Sequence, residues 1–360
     1  MNIARIIKSI GLTHLGLPRM PMFVTYLVTW RCNGRCVFCD VWRKRAEAND
    51  ELNLDEISKI FCQIKNPDVL RITGGEPFLR KDLLDVINAI DDVGRPSMIH
   101  ITSNGMLTER IVQVMEALTH PKKIHIKISI DHVGKRHDDI RGVPGAYEKA
   151  MRSIKELVRL RKVYKFHVGV NQAIVNESDI EAYGQLKQIL SRDNVPIYPT
   201  IALQPQNSLY SDKKFTDPNG SVKPFGEFSK KGLKDFISSM LEESKGISDL
   251  PERVIDRYHL QGMYNRIVCG QASPNPPCVA LNSHIRILPN GDVPVCLYNG
   301  TVVGNLKQYS LKEIWHSLEV KKQRAWVAQC PGCWQSCEAA VNAIYTGDIW
   351  KGFLPVVKKG

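Results

Sequence analysis

The chain has 360 residues, of which 43% are hydrophobic, and this is enough to bury a large core without disulfide bonds. Its length fits one large α/β domain with an appendage, or two modest domains, and its composition excludes wholesale disorder, collagen and a coiled-coil rod. Its 49 basic residues against 37 acidic ones give a formal net charge of +12, which favours an acidic partner. No apolar run approaches the ~20 residues that span a bilayer, and no export signal is evident, so we expect a cytoplasmic protein.

The first ten residues predict an amphipathic helix within an N-terminal extension, residues 1–20. Four apolar residues share one helical face, namely Ile3, Ile6, Ile7 and Ile10, while the basic residues lie elsewhere. Such a helix either packs on its own protein or lies on a membrane surface through residues 1–10. The second alternative would make a cytoplasmic protein membrane-associated.

Strand-like and helical segments alternate from residue 21 to residue 203. The strand candidates are rich in β-branched and aromatic residues, and they lie at 23–29, 69–73, 98–102, 124–130, 166–175 and 197–203. Helical stretches with apolar residues three and four apart separate them, near 54–64, 82–91, 109–118, 146–161 and 179–190. This alternation predicts a parallel sheet with right-handed crossovers. Six units are too few for a closed eightfold barrel, so we expect a partial (β/α)6 barrel with functional residues at the carboxyl ends of its strands.

The regular alternation ends after residue 203. Residues 204–268 predict a linker rich in Pro, Gly and Ser, followed by a bridging helix near 232–245. Residues 269–360 predict a small α+β domain. Within that domain, the run 284–297 around Pro-Asn-Gly-Asp is typical of a β-hairpin, and a helix is expected near 311–327.

Three cysteines follow the first predicted strand as Cys32, Cys36 and Cys39, with the spacing Cys-x3-Cys-x2-Cys. The cytosol keeps thiols reduced, so grouped cysteines in this chain indicate metal ligands rather than disulfides. Three thiolates on one loop can hold three corners of a 4Fe–4S cluster and leave the fourth iron open to an outside ligand. Zinc is the alternative, although it wants a fourth ligand nearby, where Asp40 is a poor one and no His is close.

These residues resemble the radical S-adenosylmethionine (radical SAM) superfamily, which has this spacing and an aromatic residue before the third cysteine, here Phe38. The resemblance continues through Gly-Gly-Glu-Pro after the second strand, Thr-Ser-Asn-Gly after the third and Ser-Ile-Asp at the end of the fourth. It implies a set of SAM-binding residues, namely Gly74, Gly75, Glu76, Ser103, Asn104, Ser129, Asp131 and Arg141. Glu76 would contact the methionine amino group. Arg141 would meet the SAM carboxylate, and a helix cap or a pair with Asp131 are the alternatives for it.

The resemblance implies a reaction as well as a fold. A 4Fe–4S cluster on Cys32, Cys36 and Cys39, the catalytic residues, would bind SAM at its open iron. An external electron donor of the flavodoxin or ferredoxin kind would reduce the cluster. Reductive cleavage of SAM would then give a 5′-deoxyadenosyl radical that abstracts a substrate hydrogen, for an oxidative or group-forming modification.

A second group of six cysteines lies near the end of the chain: Cys269, Cys278, Cys296, Cys330, Cys333 and Cys337. Thiolates from a hairpin and a Cys-x-x-Cys turn suit either a closed zinc site or an iron–sulfur cluster. The arrangement resembles the SPASM/twitch extension of radical SAM enzymes, whose full form uses more cysteines. It therefore implies one auxiliary 4Fe–4S cluster, held by Cys278, Cys296, Cys330 and Cys333, with Cys337 and Cys269 as alternates. The tenth cysteine, Cys62, is expected to be a small buried residue of a barrel helix.

Charge and domain order bear on the substrate. Family members with this extension modify ribosomal peptides, sugars, cofactors or lipid-linked molecules, and peptide-modifying members often carry a recognition domain before the barrel. Since residues 1–20 alone precede it here, we expect an acidic substrate that is small or lipid-linked. The alternatives are a ribosomal-peptide maturase of the SPASM type, an RNA-modifying radical SAM enzyme and a non-catalytic iron–sulfur protein. The SAM-binding segments argue against the last, and no aromatic–basic module predicts nucleic acid binding.

Overall fold

A seven-stranded parallel sheet organises the fold. The computed structural model describes residues 3–15, 20–44, 50–202, 204, 208–211, 224–330, 332–334 and 336–353. The strands of the sheet are β1 (Phe23–Thr29), β2 (Val69–Gly74), β3 (Met98–Ser103), β4 (Ile124–Ser129), β5 (His167–Ile174), β6 (Ile197–Ile201) and β7 (His284–Ile287). Their order is β6-β5-β4-β3-β2-β1-β7, and all neighbours are parallel. The predicted partial barrel is confirmed, with one further strand added at the β1 edge.

Crossover helices cover the outer face of this sheet. They are α2 (Leu54–Phe61), α3 (Leu83–Gly94), α4 (Thr108–Ala117), α5 (Lys135–Arg141), α6 (Ala146–Tyr164) and α7 (Glu181–Ser191). Helix residues such as Ile87 and Leu157 share one buried core with strand residues such as Ile99 and Ile126. Because successive strand residues point to opposite faces, the residues between these apolar ones face the lumen of the partial barrel.

The remaining elements lie before and after the crossovers. Before them comes α1 (Ile3–His14), and after them come α8 (Lys230–Ser244), α9 (Leu250–Ile267), β8 (Asp292–Pro294), β9 (Val302–Asn305), α10 (Leu311–His316), α11 (Leu318–Ala328) and α12 (Ser336–Thr346). Helix α9 was missed by the sequence interpretation, although Asp249 caps it and Pro251 stands in its first turn. The helix expected near 311–327 is divided by Ser317, whose side chain caps α11.

The predicted hairpin within residues 284–297 is wrong. Its first half, β7, pairs in parallel with β1 and extends the barrel sheet, while its second half, β8, pairs with β9 in an antiparallel ladder. All four residues of β7 are buried. A strand buried on both faces suits a parallel sheet better than a solvent-exposed hairpin. The domain boundaries near 203 and 268 stay predictions, and the region after residue 269 contributes a strand to the barrel sheet.

Two further expectations concern residues at the surface. Helix α1 packs on its own protein, because Ile6 contacts a small core with Phe23 and Tyr345, and Ile10 lies beside Gly347. Its contact with a membrane surface stays a prediction, and within the described residues no helix has the length and hydropathy to cross a bilayer.

Cys62 was expected to be buried and is exposed, since α2 ends at Phe61 and turns the next residue outward.

Candidate active site and auxiliary cysteine group

The loop after β1 brings Cys32, Cys36 and Cys39 together. Backbone bonds to the end of α5 hold this loop in place: Arg35 N donates to Arg141 O at 2.8 Å, and Val37 N donates to Ile140 O at 3.0 Å. A Cβ placed on Gly34 would lie 3.7 Å from the Cys32 sulfur and 3.6 Å from the Cys36 sulfur. The two thiols therefore lie on the same side of the loop, as shared binding of one metal centre requires.

The pKa values of two of these thiols are raised by their surroundings. Burial raises the pKa of Cys32 to about 11 and the pKa of Cys39 to about 12, and the neighbouring thiolates add to both shifts. Both groups are therefore neutral thiols at pH 7 unless a metal binds and displaces their protons. Among the described residues no three His, Cys, Asp or Glu side chains are arranged to hold a single metal ion. Three cysteines on one loop match the three protein ligands of a 4Fe–4S cluster that keeps one iron open.

The two glycines after β2 allow the backbone to approach the cysteine loop. Gly74 has a φ of +130°, and a Cβ there would lie 2.2 Å from the carbonyl oxygen of Thr29. A Cβ on Gly75 would lie 2.1 Å from the carbonyl oxygen of Arg31. The backbone nitrogens of Gly75 and Glu76 donate to these same two oxygens, each at 2.8 Å. The end of β2 is therefore fastened directly to the start of the cysteine loop.

Glu76 joins this turn to the end of β3 from a fully buried position. Its carboxylate accepts hydrogen bonds from Asn104 N at 2.7 Å, Ser103 Oγ at 2.9 Å and Phe78 N at 3.2 Å. Burial raises its pKa to about 7, although these hydrogen bonds act in the opposite direction. The carboxylate thus orders the segment after β3, and its contact with the methionine amino group stays a proposal.

Asn104 extends the same network to the cysteine loop. Its side-chain nitrogen donates to Asn33 Oδ1 at 2.7 Å, and its side-chain oxygen accepts from Met106 N at 3.0 Å. Asn33 lies directly after Cys32, so the segments that follow β1, β2 and β3 form one hydrogen-bonded unit. The sequence placed all three segments at the carboxyl edge of the sheet, and the structure confirms that placement.

Asp131, directly after β4, and Arg141, at the end of α5, form a buried ion pair beside the cysteine loop. The guanidinium donates through Nη2 to Asp131 Oδ1 at 2.8 Å, and its Nε lies 2.6 Å from Oδ2. Asp131 Oδ1 also accepts from Ala173 N at 3.0 Å, and buried Ser129 ends the strand just before it. The pair with Asp131, one of the alternatives for Arg141, is present, and the contact of Arg141 with the SAM carboxylate stays a prediction. Arg141 Nη1 also lies 3.6 Å from the Cys36 sulfur, a contact that the sequence interpretation missed.

The C-terminal cysteines come together from separate segments. Burial raises the pKa of Cys278, and the neighbouring Cys296 and Cys330 raise it further. Burial also raises the pKa of Cys296 to about 11, while Arg286 opposes this. Cys296 and Cys330 therefore lie near enough to Cys278 to act on its thiol electrostatically, as ligands of one iron–sulfur centre would.

The fourth ligand of this group stays a prediction. Cys333 lies near Arg266 of α9 and raises the pKa of that guanidinium, which burial lowers. Cys269 is exposed at the end of α9. Cys337 belongs to the first turn of α12, and its side chain lies outside the described residues.

A buried charged network connects the lumen with these thiols. Thr25 Oγ1 and His284 Nε2 are 2.9 Å apart, and His284 Nδ1 lies 3.3 Å from Glu338 Oε2. Arg286 Nη2 donates to Glu338 Oε1. Burial alone would raise the pKa of Glu338, but Arg286 and then His284 hold it well below its usual range. Glu338 is therefore ionised and fixes Arg286 close to Cys296.

Comparison with known proteins identifies both parts of the chain. Residues 26–183 match the family model of the radical SAM superfamily, and residues 278–338 match that of an iron–sulfur cluster-binding domain, SPASM. Among curated relatives, GTP 3′,8-cyclase of Peptoclostridium acidaminophilum is 25% identical over 307 residues, which are 82% of this chain and 86% of that one. Molybdenum cofactor biosynthesis protein 1 of Dictyostelium discoideum is 27% identical over 78% of this chain, but the match spans only 43% of its own length.

A solved structure shares the fold. Streptococcus suis SuiB bound to the precursor peptide SuiA superimposes with a TM-score of 0.60 and 15% identity, over 89% of this chain and 69% of SuiB. The chain belongs to the radical SAM superfamily and carries a SPASM domain. Members of that family are enzymes, and its domains bring a SAM-binding 4Fe–4S cluster, SAM and auxiliary iron–sulfur binding.

Proposed function

We propose that this chain cleaves SAM reductively and abstracts a hydrogen atom from an acidic substrate, either a small molecule or a lipid-linked one. The observation that carries the proposal is the single hydrogen-bonded unit formed by the cysteine loop and the segments after β2 and β3. When bound, the 4Fe–4S cluster supplies the electron that cleaves SAM to methionine and a 5′-deoxyadenosyl radical. The chain itself supplies the ligands, the orientation and the enclosure of the site.

Each part of the unit has a proposed role in this chemistry. Cys32, Cys36 and Cys39 hold the cluster, and Arg141 orients a guanidinium N–H toward the Cys36 sulfur. Such a donor stabilises negative charge on the sulfur, which is one of the ways in which a protein tunes an iron–sulfur centre. The backbone after β2 would contact the methionine amino group of SAM, and Ser103 and Asn104 would lie by its ribose and carboxylate. Ser129 and Asp131 would contact SAM from the β4 side.

The C-terminal thiols have a second proposed role. Cys278, Cys296 and Cys330 would hold one auxiliary cluster together with a fourth ligand from Cys333, Cys337 or Cys269. Such a cluster can accept an electron from a substrate radical or anchor the substrate. The electron that reduces the first cluster would come from an external donor of the flavodoxin or ferredoxin kind.

Two observations bear on the substrate. The net charge of +12 supports an acidic substrate, and the GTP cyclase among the relatives is named for a phosphate-bearing one. The alternative is a ribosomal-peptide maturase, which the likeness to the fold of the peptide-bound SuiB structure favours. RNA modification has no comparable observation behind it.

Anaerobic reconstitution tests the proposal. The protein is loaded with iron and sulfide, its iron is counted, and it is incubated with dithionite and SAM. About eight irons per chain and formation of 5′-deoxyadenosine are expected if two clusters assemble. Tightly bound zinc at the first site, or a reduced cluster that leaves SAM intact, would refute the proposal. Adding candidate peptides or acidic metabolites and following consumption of each then separates the two substrate classes.

A further inference from the structure

A row of nitrogen-bearing side chains lines the inner face of the partial barrel, from β2 to β5. Arg71 on β2 is in register with His100 on β3, His100 with His125 on β4, and His125 with His167 on β5. All four alternate with apolar residues that face the helices, so they point into the lumen. Lys127 lies on the same face, two residues after His125. The row thus forms one wall of the space below the SAM-binding edge.

The three histidines are neutral and stacked. The rings of His100 and His125 are parallel within 3° at 5.2 Å between centroids, and those of His125 and His167 are 4.9 Å apart. Burial lowers the pKa of His125 to about 4 and lowers the pKa of the other two as well. The parallel rings of His100 and His125 cannot aim their nitrogens at one point, and the His167 ring stacks on His125 at 27°, so the row is not arranged to bind a metal ion. Neutral imidazoles instead offer N–H donors to a ligand.

Lys127 is a charged member of this wall that makes no hydrogen bond within the described part of the chain. Its ammonium lies 3.3 Å from the centre of the Tyr198 ring, but among the described residues no acceptor lies within hydrogen-bond distance of it and no carboxylate oxygen within 4.0 Å. His125 likewise has stacking contacts and no hydrogen bond to the described part of the chain. Burial, helped by Arg71, lowers the pKa of Lys127 to about 8. A half-buried ammonium with three unused N–H groups is costly unless a ligand accepts from it.

Residues of β5, β6 and α9 surround Lys127. Gly169 is its neighbour on β5, and a Cβ there would lie 2.9 Å from the Tyr198 ring, so the glycine lets that ring lie flat beside the lysine. Tyr198 in turn donates to Glu252 of α9 at 2.9 Å. The acids nearest to Lys127 are Glu252 and Asp256, and both raise its pKa without reaching it. They balance its charge from the α9 side and leave its N–H groups unused.

We propose that Lys127 and His125 bind one anionic oxygen group of the substrate, a carboxylate or a phosphate, inside the lumen. Lys127 stands two residues before Ser129, about 7 Å along the strand from the proposed SAM-binding edge. A substrate anchored there extends toward the SAM side of the barrel. This inference rests on the proposed function and names the chemical class of its substrate.

Binding of simple anions tests the inference without knowledge of the substrate. The reconstituted enzyme is melted with increasing sodium phosphate or sodium succinate, at an ionic strength held constant with chloride. The apparent Kd follows from the shift in unfolding midpoint within each variant, so a change in basal stability does not enter. Lys127→Met is expected to weaken the apparent Kd about tenfold or more. Lys155→Met, an exposed lysine on α6, is the matched control and keeps the wild-type shift.

A second pair of variants covers the case in which Lys127→Met fails to fold. Asp256→Asn removes a negative charge near the ammonium and is expected to tighten anion binding, whereas His125→Gln is expected to weaken it. A shift with phosphate alone assigns a phosphate group, and a shift with succinate alone assigns a carboxylate. The inference is overturned if neither anion stabilises the wild type, or if the Lys127 and Asp256 variants both keep the wild-type Kd. Formation of 5′-deoxyadenosine by the wild type, measured in parallel, tests the proposed function separately.

Discussion

The two cysteine groups of this chain are assembled in opposite ways. Cys32, Cys36 and Cys39 lie on one short loop, and backbone hydrogen bonds from the end of α5 and from the turn after β2 fix that loop. Cys278, Cys296 and the Cys330 segment come from separate parts of the C-terminal region. The first group is therefore specified by local spacing, whereas the second exists only once β7, β8 and α12 have packed.

The support around the two groups differs as well. Close backbone contacts, the buried carboxyl of Glu76 and the Asp131–Arg141 pair surround the first loop. A buried charged network around Glu338 lies beside the second group and connects it to β1 through Thr25. Close backbone packing makes the first site sensitive to added volume, and buried ionic pairing makes the second sensitive to lost charge.

The largest effect is expected from removing the ligands of the first loop. The triple variant Cys32→Ala, Cys36→Ala and Cys39→Ala should form no 5′-deoxyadenosine, because no thiolate remains to hold the cluster. Iron should fall from about eight to about four per chain, since the C-terminal group is independent. Cys62→Ala is the control, as this cysteine is exposed and belongs to neither group. Retained SAM cleavage by the triple variant would contradict the assignment.

The next largest effect is expected from Gly75→Ala. The added Cβ would lie 2.1 Å from the Arg31 carbonyl, so the turn after β2 must move away from the cysteine loop. A displacement of this size should lower the rate of SAM cleavage about 100-fold. The matched control is Gly184→Ala on α7, where nothing lies within 4 Å and the helix should gain about 1 kcal/mol. Equal rates for the two variants would show that the close approach is not required.

A selective effect is expected from Cys278→Ala. This variant should lose about four irons per chain, while cleavage of SAM without substrate persists, because the first loop keeps all its ligands. Cys269→Ala is the comparison, since this exposed cysteine is an alternate ligand only. Iron counting and detection of 5′-deoxyadenosine measure the two results. Loss of iron from the Cys269 variant would instead make it the fourth ligand.

An effect on stability, with the smallest effect on SAM cleavage, is expected from Glu338→Gln. It leaves Arg286 buried without its charged partner and should cost about 3 kcal/mol or more in the free energy of unfolding. Because the folded-state pKa of Glu338 is lowered, its contribution is present at neutral pH and is lost as the pH falls below about 4.5. Asp235→Asn, at an exposed ion pair on α8, should change stability by less than about 1 kcal/mol. Denaturant unfolding at pH 7 and pH 4 measures the stability of both variants. Equal losses of stability in the Glu338 and Asp235 variants at pH 7 would contradict the role of the buried pair.

Much of the first region could be predicted from the sequence, and less of the second. The six barrel strands and the placement of Gly75, Asn104 and Asp131 at their carboxyl ends followed from alternation and motif order. The pairing of β7 with β1 did not follow, since a four-residue strand before Pro-Asn-Gly-Asp carries a strong local hairpin signal. Helix α9 was missed because its apolar residues do not form a regular stripe.

The sequence by itself determined the chemistry that the cysteine loop can support, because three thiols within eight positions must lie together in any compact conformation. It also determined the parallel sheet, through a periodicity that holds over many residues. Only the tertiary structure decided that the Glu76 carboxylate accepts hydrogen bonds from the segment after β3 and that Arg141 reaches the Cys36 sulfur. It also decided that Lys127 lies in the lumen with no acceptor among the described residues. These contacts join residues far apart in the chain, and their existence depends on how strands and helices pack, which no local pattern encodes.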